Sequence, residues 1–340
     1  MNKPYDLLTL GEVLLRLSPP TGERLTSGDM FQKYVGGAEL NVASGVGLLG
    51  LRTGIITKLP QNALGIYARN TMRSYNVYDA FVSYDDDADA RLGIYYYESG
   101  AYPKKPHVVY DRKYTSINKI SLSDFTDDMY TAARCFHTSG ITLALGPRCR
   151  ETATEMIKQF KKQGTLISFD VNFRGNLWNS AQAKACIEEI LPYVDIFFCS
   201  ETTARMTFLK EGSLQEIMKS FTQEYPISIV ASTQRIVHSP KSHTFGSILY
   251  HAGQDTYFEE EPYRSIDIVD RIGSGDAYIS GILYGLLTDP DNYSRTLQFG
   301  NAVSAIKNTI SGDMQATSLP EIEAIIHDHK NMGFQSEMNR

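Results

Sequence analysis

Residues 273–276 of the sequence have the types and the spacing that phosphoryl-transfer chemistry needs: Gly273, Ser274, Gly275 and Asp276. Apolar residues at helical spacing follow from Ile279, which predicts a glycine-rich turn that leads into a helix. Unpaired N–H groups and the positive end of the dipole make such a helix start attractive to anions, and glycine lets those groups converge. Asp276 would lie at the mouth of this anion hole, where a carboxylate can accept the proton of an attacking hydroxyl.

The same four residues have a simpler interpretation. An aspartate in the first turn stabilises a helix by itself, and glycine-rich turns are common before helices. The segment alone therefore leaves a capped helix and a catalytic anion hole as alternatives.

Composition limits the class of protein. The 340 residues are 42% hydrophobic and 21% charged, with a formal charge of -6, which predicts a globular protein with a sizeable core. The mild negative charge argues against a nucleic-acid partner. Apolar runs are too short to cross a membrane and the N-terminus does not resemble a signal peptide, so we expect a cytoplasmic protein with no membrane partner. The 4 cysteines are widely spaced, as free thiols would be.

The second half of the chain alternates between short apolar runs and helical patterns. Predicted strands cover residues 134–137, 166–170, 196–199, 227–231 and 247–250, and predicted helices cover 150–163 and 181–191. Such alternation indicates an α/β fold, with a mostly parallel sheet between layers of helices. Ligands of these folds bind beyond the carboxyl ends of the strands.

Polar residues follow several of these predicted strands, including Ser200, Thr233 and Arg235. Asp170, Asn172 and Arg174 alternate along one segment, so they would face one cleft if that segment is extended. Arginine suits the bidentate recognition of a carboxylate or phosphate. An ion pair between Asp170 and Arg174 that holds the loop is the alternative.

The first half of the chain contributes two further segments. Gly36 and Gly37 precede a predicted helix that starts near Ala38, so Glu39 and Asn41 could hydrogen-bond the hydroxyls of a small ligand. A Gly-x-Gly-x-x-Gly pattern at residues 45–50 falls inside that helix, which excludes the strand–turn–helix context of a dinucleotide site.

Residues 93–98 and 107–112 are aromatic and β-branched, and they predict two strands of a hairpin. Tyr95, Tyr110 and Arg112 lie on these strands. The tyrosines could serve only to pack the sheet, because aromatic residues favour strands.

Two segments resemble the signatures of ribokinase-like (PfkB) carbohydrate kinases. Residues 270–278 are similar to the second signature, usually Asp-Thr-Thr-Gly-Ala-Gly-Asp-Ala-Phe, with Arg271 and Ile272 in place of the threonine pair. Residues 36–43 resemble the first signature, Gly-Gly-x-x-x-Asn-x-Ala, in a version most like that of 2-keto-3-deoxygluconate kinases. The two signatures occur in the order that the family has.

The resemblance implies a ribokinase-like three-layer α/β/α fold with a small β-sheet lid. Residues 1–326 would form a single kinase domain, with lid segments at about 12–36 and 90–116 and a C-terminal tail at 327–340. The implied activity is ATP-dependent phosphorylation of the terminal (C6) hydroxyl of 2-keto-3-deoxygluconate, with Mg²⁺ bridging the ATP phosphates. The implied assembly is a homo-oligomer, a dimer paired through the lid or larger.

The resemblance also assigns roles to residues. Asp276 would be the base and Gly273, Ser274 and Gly275 the anion hole. Sugar contacts would come from Gly36, Gly37, Asn41, Tyr95, Tyr110, Arg112 and Arg174, with Arg174 on the carboxylate. The nucleotide would be held by Ser200, Thr233, Arg235, Gly275 and Asn301, the last at the start of an adenine-side helix.

One departure and two rival functions remain. The family's Asn-x-x-Glu is replaced here by residues 200–203, Ser-Glu-Thr-Thr, so no metal ligand is assigned. A neutral-sugar kinase such as a fructokinase would share most of these residues. A sugar-acid binding protein without catalysis would also share them, although an intact Asp276 argues against it.

Overall fold

The computed structural model describes residues 3–331, which build two separate β-sheets and the helices around them. The fifteen strands are β1 (Tyr5–Leu10), β2 (Leu14–Ser18), β3 (Gln32–Gly36), β4 (Thr53–Pro60), β5 (Val77–Tyr78), β6 (Val82–Asp85), β7 (Gly93–Glu98), β8 (His107–Asp111), β9 (Ala133–Ser139), β10 (Leu166–Asp170), β11 (Ile196–Phe198), β12 (Ile229–Ser239), β13 (Ser242–His251), β14 (Thr256–Glu259) and β15 (Tyr263–Asp267). The ten α-helices are α1 (Ala38–Leu48), α2 (Ala63–Ser74), α3 (Gly140–Ala144), α4 (Pro147–Lys162), α5 (Ser180–Ile190), α6 (Glu201–Phe208), α7 (Leu214–Glu224), α8 (Ser274–Thr288), α9 (Tyr293–Lys307) and α10 (Leu319–Lys330).

The large sheet has eleven strands, and its main path runs in the order β14-β13-β12-β11-β10-β9-β1-β4-β5. Its central strands from β12 to β4 pair in parallel, whereas β13 pairs antiparallel with β12, β14 and β15. The sequence therefore predicted the mostly parallel sheet correctly. The antiparallel edge follows from the short turn between β12 and β13, because two residues can join only antiparallel strands.

Alternation along the strands divides the core into two layers. In β11, Ile196 and Phe198 pack on the side of α1, α8 and α9, whereas Phe197 packs on the side of α4, α5 and α7. Successive side chains of a strand point to opposite faces, so a central strand covered by helices on both faces must be apolar throughout. This explains the continuous apolar runs that the sequence shows, and it confirms the predicted α/β/α layers.

The second sheet, called the small sheet below, contains β3, β2, β7 and β8 in that order. β7 and β8 form the predicted hairpin, with Tyr95 directly opposite Tyr110. β2 pairs in parallel with β7 and antiparallel with β3. All four strands fall inside the two segments that the sequence analysis named as a lid.

Two local predictions were wrong. Residues 232–235 do not follow the end of a strand, because β12 continues to Ser239 and pairs with β13 beyond the last residue of β11. Asn301 does not open a helix: α9 begins at Tyr293, where Asn292 accepts a hydrogen bond from the N–H of Arg295 and so caps the helix.

The helix α10 runs to Lys330, past the start that the sequence analysis gave to a C-terminal tail, and residues 332–340 of that tail lie outside the described residues. Within residues 3–331, none of the helices combines the length and the apolar character needed to span a lipid bilayer.

Candidate active site

Residues 270–276, which comprise the turn before α8 and the first three residues of that helix, are called the glycine turn below. Gly273 has φ of 82°, and a Cβ at this position would overlap the carbonyl oxygen of Asp313. Only glycine meets both conditions without strain. Gly275 differs, because it lies inside the first turn of α8 and a Cβ there would meet no atom within 4 Å. The prediction that both glycines are needed for the backbone angles is therefore right only for Gly273.

The amides of this turn are mostly free to bind an anion. Ser274 donates its N–H to the carbonyl of Arg271 at 3.2 Å, and Ala277 donates to the carbonyl of Gly273 at 2.8 Å. In residues 3–331 the N–H groups of Gly273, Gly275 and Asp276 have no acceptor. Ser274 is thus not the free anion donor that the sequence analysis expected, whereas its neighbours remain available at the positive end of the helix.

Asp276 is partly buried beside this helix start and accepts a hydrogen bond from Asn41 Nδ2 at 2.7 Å. Burial raises the pKa of Asp276 to about 7, although Asn41 and Arg174 act in the opposite direction. Burial and the nearby charge of Asp276 also raise the pKa of Asp170 to about 7. A carboxylate with a pKa near neutrality is suited to accept a proton under physiological conditions.

Helix α1 brings two polar side chains to the same place. The Oε1 atom of Glu39 accepts hydrogen bonds from Ser139 Oγ at 2.6 Å and Thr142 Oγ1 at 2.8 Å, so this buried carboxylate is largely occupied. The Oδ1 atom of Asn41 is buried without a hydrogen-bond partner in the described part of the chain. Asn41 can therefore orient Asp276 with one atom and accept from a ligand hydroxyl with the other.

A cavity of about 370 Å³ joins the glycine turn to the small sheet. It is lined by eleven of the predicted site residues, namely Gly37, Asn41, Tyr95, Tyr110, Arg112, Arg174, Arg235, Gly273, Ser274, Gly275 and Asp276. Gly36 is not among the lining residues. A Cβ at Gly36 would overlap the carboxylate of Asp313, so this glycine allows close packing behind the cavity wall.

The small sheet contributes Tyr95, Tyr110 and Arg112 to one wall. The rings of the two tyrosines have centroids 5.8 Å apart, because the residues are direct cross-strand neighbours. The hydroxyl of Tyr95 donates to Asp313. Arg112 forms an ion pair with the buried Glu12, but its Nε atom is buried without an acceptor in residues 3–331. This wall can therefore offer a phenol and a guanidinium N–H, but the charge of Arg112 is already balanced.

The segment after β10 forms the opposite wall. Asn172 has φ of 36°, so the segment is not extended, and the side chains of Asp170, Asn172 and Arg174 converge through a left-handed turn instead. Asp170 accepts a hydrogen bond from the N–H of Asn172 at 3.1 Å. The alternative ion pair between Asp170 and Arg174 does not form, since Arg174 is exposed and donates to the carbonyl of Phe173 at 3.2 Å.

Three arginines that line this cavity have no salt bridge within residues 3–331: Arg174, Arg235 and Arg271. Burial and the neighbouring Arg271 lower the pKa of Arg235. Two like charges beside one cavity are unfavourable in the absence of an anion. The cavity therefore suits a ligand, or a pair of ligands, with more than one negative charge.

A second cavity of about 200 Å³ adjoins the first and shares Gly275, Asp170, Asn172 and Arg174 with it. Ser200, Thr203 and Thr233 also line it, so three of the residues predicted to contact a nucleotide, Ser200, Thr233 and Gly275, lie at this cavity. Asn301 lines neither cavity. It is 1% exposed and accepts a hydrogen bond from Ser247 Oγ at 2.6 Å, as expected for a residue in the middle of a packed helix.

A metal site is less clearly built than the anion sites. Among residues 3–331, the one group of three carboxylates close enough to share an ion is Asp85, Asp86 and Asp87, outside both cavities. The Lys119 ammonium already lies 3.0 Å from Asp85 and 2.7 Å from Asp87. In the cleft itself, Asp170 and Asp276 are the neighbouring carboxylates whose charges a divalent cation would compensate.

Sequence reasoning missed several residues of this region: Glu12, Arg16, Asp313 and Lys307. Arg16 and Glu12 carried a usable signal, because they flank or interrupt an apolar strand and a charged residue in such a position needs a buried partner. Asp313 and Lys307 carried none, since their partners are distant in sequence.

Comparison with known proteins identifies the family of the chain. Residues 5–320 match the model of the "pfkB family carbohydrate kinase". The chain is 32% identical to a 2-dehydro-3-deoxygalactonokinase of Haloferax volcanii over 94% of this chain and 96% of the relative. It is 25% identical to a 5-dehydro-2-deoxygluconokinase of Listeria monocytogenes over 95% of this chain and 96% of that protein.

A solved structure is similar over the same extent. The 2-dehydro-3-deoxygluconokinase of Thermotoga maritima has a TM-score of 0.89 and 31% identity, over 95% of this chain and 99% of that one. The fold is that of the ribokinase-like class. The chain belongs to the pfkB family of carbohydrate kinases and is an ATP-dependent sugar kinase.

Proposed function

We propose that the protein phosphorylates the terminal (C6) hydroxyl of a 2-keto-3-deoxy sugar acid, with 2-keto-3-deoxygluconate as the first candidate. The observation that carries this proposal is the unpaired guanidinium of Arg174 in the cavity that also holds Asp276. An exposed, unpaired arginine in a polar cavity is suited to bind a carboxylate. The names of the relatives support the same class of substrate.

The chemistry follows from the residues at the glycine turn. The oxygen of the sugar hydroxyl forms a bond to the γ-phosphorus of ATP, and Asp276 takes the proton of that hydroxyl. The bond between the γ-phosphorus and the β,γ-bridging oxygen breaks in the same step. The free amides of Gly273, Gly275 and Asp276 face the charge that develops on the phosphoryl oxygens. Asn41 keeps the base oriented through its 2.7 Å hydrogen bond. Phospho-sugar and ADP are the products.

The nucleotide would occupy the smaller cavity, with Ser200 and Thr233 beside it and its terminal phosphates towards Gly275. Arg235 and Arg271 line the larger cavity without a salt bridge in the described residues, and they would bind the phosphates. Mg²⁺, when bound, would neutralise the charge of the phosphate oxygens. Most of its ligands would be phosphate oxygens and water molecules. Asp170 fits the need for a single protein carboxylate close to it.

The small sheet would act as the lid over the sugar, and we place it in one kinase domain with the large sheet. We also propose that two copies pair through this sheet, giving a dimer. β8 is an edge strand with unpaired backbone groups, and Val109 and Tyr110 on it are 45% and 40% exposed. Light scattering of the purified protein should give the mass of a dimer or a larger oligomer. A monomeric mass at micromolar concentration would refute this part.

The proposed activity is tested by ADP release from Mg-ATP with a panel of acceptors. The panel contains 2-keto-3-deoxygluconate, its galactonate epimer, 5-dehydro-2-deoxygluconate, gluconate, fructose and ribose. Wild type and Asp276→Ala are compared on each. We expect turnover confined to the keto-deoxy acids and lost in Asp276→Ala.

Other outcomes would change the proposal in defined ways. Turnover of fructose or ribose at the highest kcat/KM would keep the kinase and refute the role of Arg174. A lack of turnover with every acceptor, together with thermal stabilisation by a sugar acid, would favour a binding protein.

A further inference from the structure

Arg16 on β2 is buried at 3% exposure, although it lies on the small sheet and outside the lining of the sugar cavity. Its Nη1 atom contacts two carboxylates from elsewhere in the chain, Asp270 Oδ2 at 2.7 Å and Asp313 Oδ1 at 3.1 Å. Arg16 is therefore an ionic link between the small sheet and the body of the protein.

Both carboxylates belong to the segments that shape the glycine turn. Asp270 accepts hydrogen bonds from the N–H of Ile272 at 3.1 Å and from the N–H of Gly312 at 3.1 Å. The backbone carbonyl of Asp313 lies against Gly273, where a Cβ would overlap it. A shift of either carboxylate would therefore displace the backbone that carries the free amides.

The small sheet also fixes the direction of the Arg16 guanidinium. The group lies 4.4 Å from the ring centroid of Tyr97 and 5.0 Å from that of Tyr34, and Arg16 Nε donates to Ser18 Oγ at 2.8 Å. These three residues lie on strands of the small sheet. The charge can thus reach Asp270 only when the sheet is seated on the glycine turn.

Two further contacts complete the cluster. The hydroxyl of Tyr95 donates to Asp313, so a sugar that contacts Tyr95 acts on the same carboxylate. Lys307 is fully buried and its ammonium donates to the backbone carbonyls of Asp270 at 3.1 Å and Ile310 at 3.0 Å. The cluster therefore holds two cations, Arg16 and Lys307, and the carboxylates of Asp270 and Asp313, and the removal of Arg16 would leave the anions in excess.

We propose that Arg16 is a positioning residue that couples the small sheet to the glycine turn. Because of this link, the amides of the turn take their anion-binding arrangement only while the sheet is seated. The coupling limits phosphoryl transfer to water before the sugar is enclosed. Its catalytic consequences rest on the proposed function, but the link itself does not.

The first test needs no substrate. Hydrogen exchange of the amides in residues 270–280 is compared in wild type, Arg16→Met and Arg24→Met. Arg24 is a matched control, because its exposed side chain forms an ion pair with Glu98 of the small sheet at 3.9 Å. We expect at least about tenfold faster exchange in Arg16→Met alone. Equal rates in all three proteins would overturn the coupling, whether or not the protein is a kinase.

The second test separates positioning from stability. In Arg16→Met we expect kcat to fall about tenfold or more while KM for the sugar acid changes less than about twofold, since Arg16 does not line the cavity. Arg16→Lys should recover part of kcat, as it retains the charge but not the planar contacts.

The double variant Arg16→Met/Asp270→Asn removes the excess buried charge. We expect its melting temperature to recover towards wild type while kcat stays low. Recovery of kcat together with stability would mean that Arg16 acts only on folding and would overturn the proposal. If wild type phosphorylates no acceptor, the proposed function fails and hydrogen exchange alone decides the coupling.

Discussion

The two walls of the sugar cavity treat charge in opposite ways. On the side of the small sheet, the arginines are paired: Arg112, which lines the cavity, with Glu12, and Arg16, which lies outside the lining, with Asp270 and Asp313. On the wall formed by the large sheet and the glycine turn, Arg174, Arg235 and Arg271 have no such partner in the described residues. A paired arginine can orient a ligand, whereas an unpaired one can also neutralise its charge.

The two walls therefore have different roles. The wall with paired arginines gives the cavity its shape, and the wall with unpaired arginines recognises the charge of the ligand. The wall with paired arginines makes its contacts before a ligand binds, so substitutions there should mainly lower the free energy of unfolding. The unpaired wall carries uncompensated charge of both signs, including the acids Asp170 and Asp276, so its changes should appear mainly in binding and rate. Residues that favour function at the expense of stability are expected at an active site.

The largest effect is expected at Asp276. Replacement by Asn keeps the shape of the side chain but removes the proton acceptor, so kcat should fall about 1000-fold. ADP release at saturating substrates measures this change. KM for the sugar should remain within about threefold, because the hydroxyl can still bind the amide. A residual rate above about one tenth of wild type would mean that another group accepts the proton.

Arg112 and Arg174 test the two walls directly. Arg112→Gln leaves Glu12 buried without its cation, so the free energy of unfolding should fall by about 3–5 kcal/mol. Adding Glu12→Gln should restore part of it. Arg174→Gln removes an exposed charge and should change stability by less than about 0.5 kcal/mol.

The effect of these two substitutions on sugar binding should be the opposite of their effect on stability. Arg174→Gln should raise KM for the sugar acid about 10–100-fold, because it removes a charge-assisted pair of hydrogen bonds to the carboxylate. Urea unfolding and steady-state kinetics measure the two quantities. A large loss of stability in Arg174→Gln with unchanged KM would contradict the division between the walls.

Substitutions of Gly273 and Gly275, which are two residues apart, should show the same contrast between an effect on stability and an effect on ligand binding. Gly273→Ala places a Cβ on the carbonyl of Asp313 at a positive φ, so it should cost at least about 2 kcal/mol of stability. Gly275→Ala meets open space in a helix and should be neutral or slightly stabilising. Its methyl group would project where both cavities meet, so KM for ATP should rise. Thermal unfolding and kinetics distinguish these outcomes.

The pH dependence of the rate follows from the pKa of Asp276. Because that pKa is raised to about 7, the active carboxylate form is lost below neutrality. We expect kcat/KM to fall about fivefold between pH 7 and pH 6 and to level off above about pH 8. Asn41→Ala removes a hydrogen bond that favours the charged form, so its midpoint should move to higher pH. A profile that stays flat down to pH 5 would refute the raised pKa.

The sequence was sufficient for the parts of the site that lie on regular elements and fall within a signature. Gly273, Asp276, Asn41 and the opposed pair Tyr95 and Tyr110 were expected at one cleft, and they line one cavity. Arg174 also lines this cavity, but for a different reason from the one expected, because a left-handed residue at Asn172 and not an extended strand turns it towards the cavity.

The buried ionic contacts could not be predicted. Arg16 and Asp313 are 297 residues apart in sequence, and Arg112 and Glu12 are 100 apart. No local pattern indicates which charges will meet when the small sheet packs on the large one. Asn301 lies elsewhere than expected for a related reason, since a polar residue within a helix can bind either a ligand or a buried partner such as Ser247.

The smallest effect is a gain in stability at the unpaired wall. The folded pKa of Asp276 lies above its ordinary value of 3.8, so the folded protein binds the proton more tightly than the unfolded chain. Stability from this group is present below about pH 4 and is lost as the pH rises through about 7. A pKa raised from 3.8 to about 7 corresponds to at most about 4 kcal/mol at pH 8, and the partial exposure of Asp276 to solvent reduces this value. Asp276→Asn should therefore stabilise the protein by about 1 kcal/mol at pH 8, or about 2 °C in melting temperature, with little effect at pH 4. Arg112→Gln should show no such gain at either pH, because the charge that it removes is compensated in the folded state.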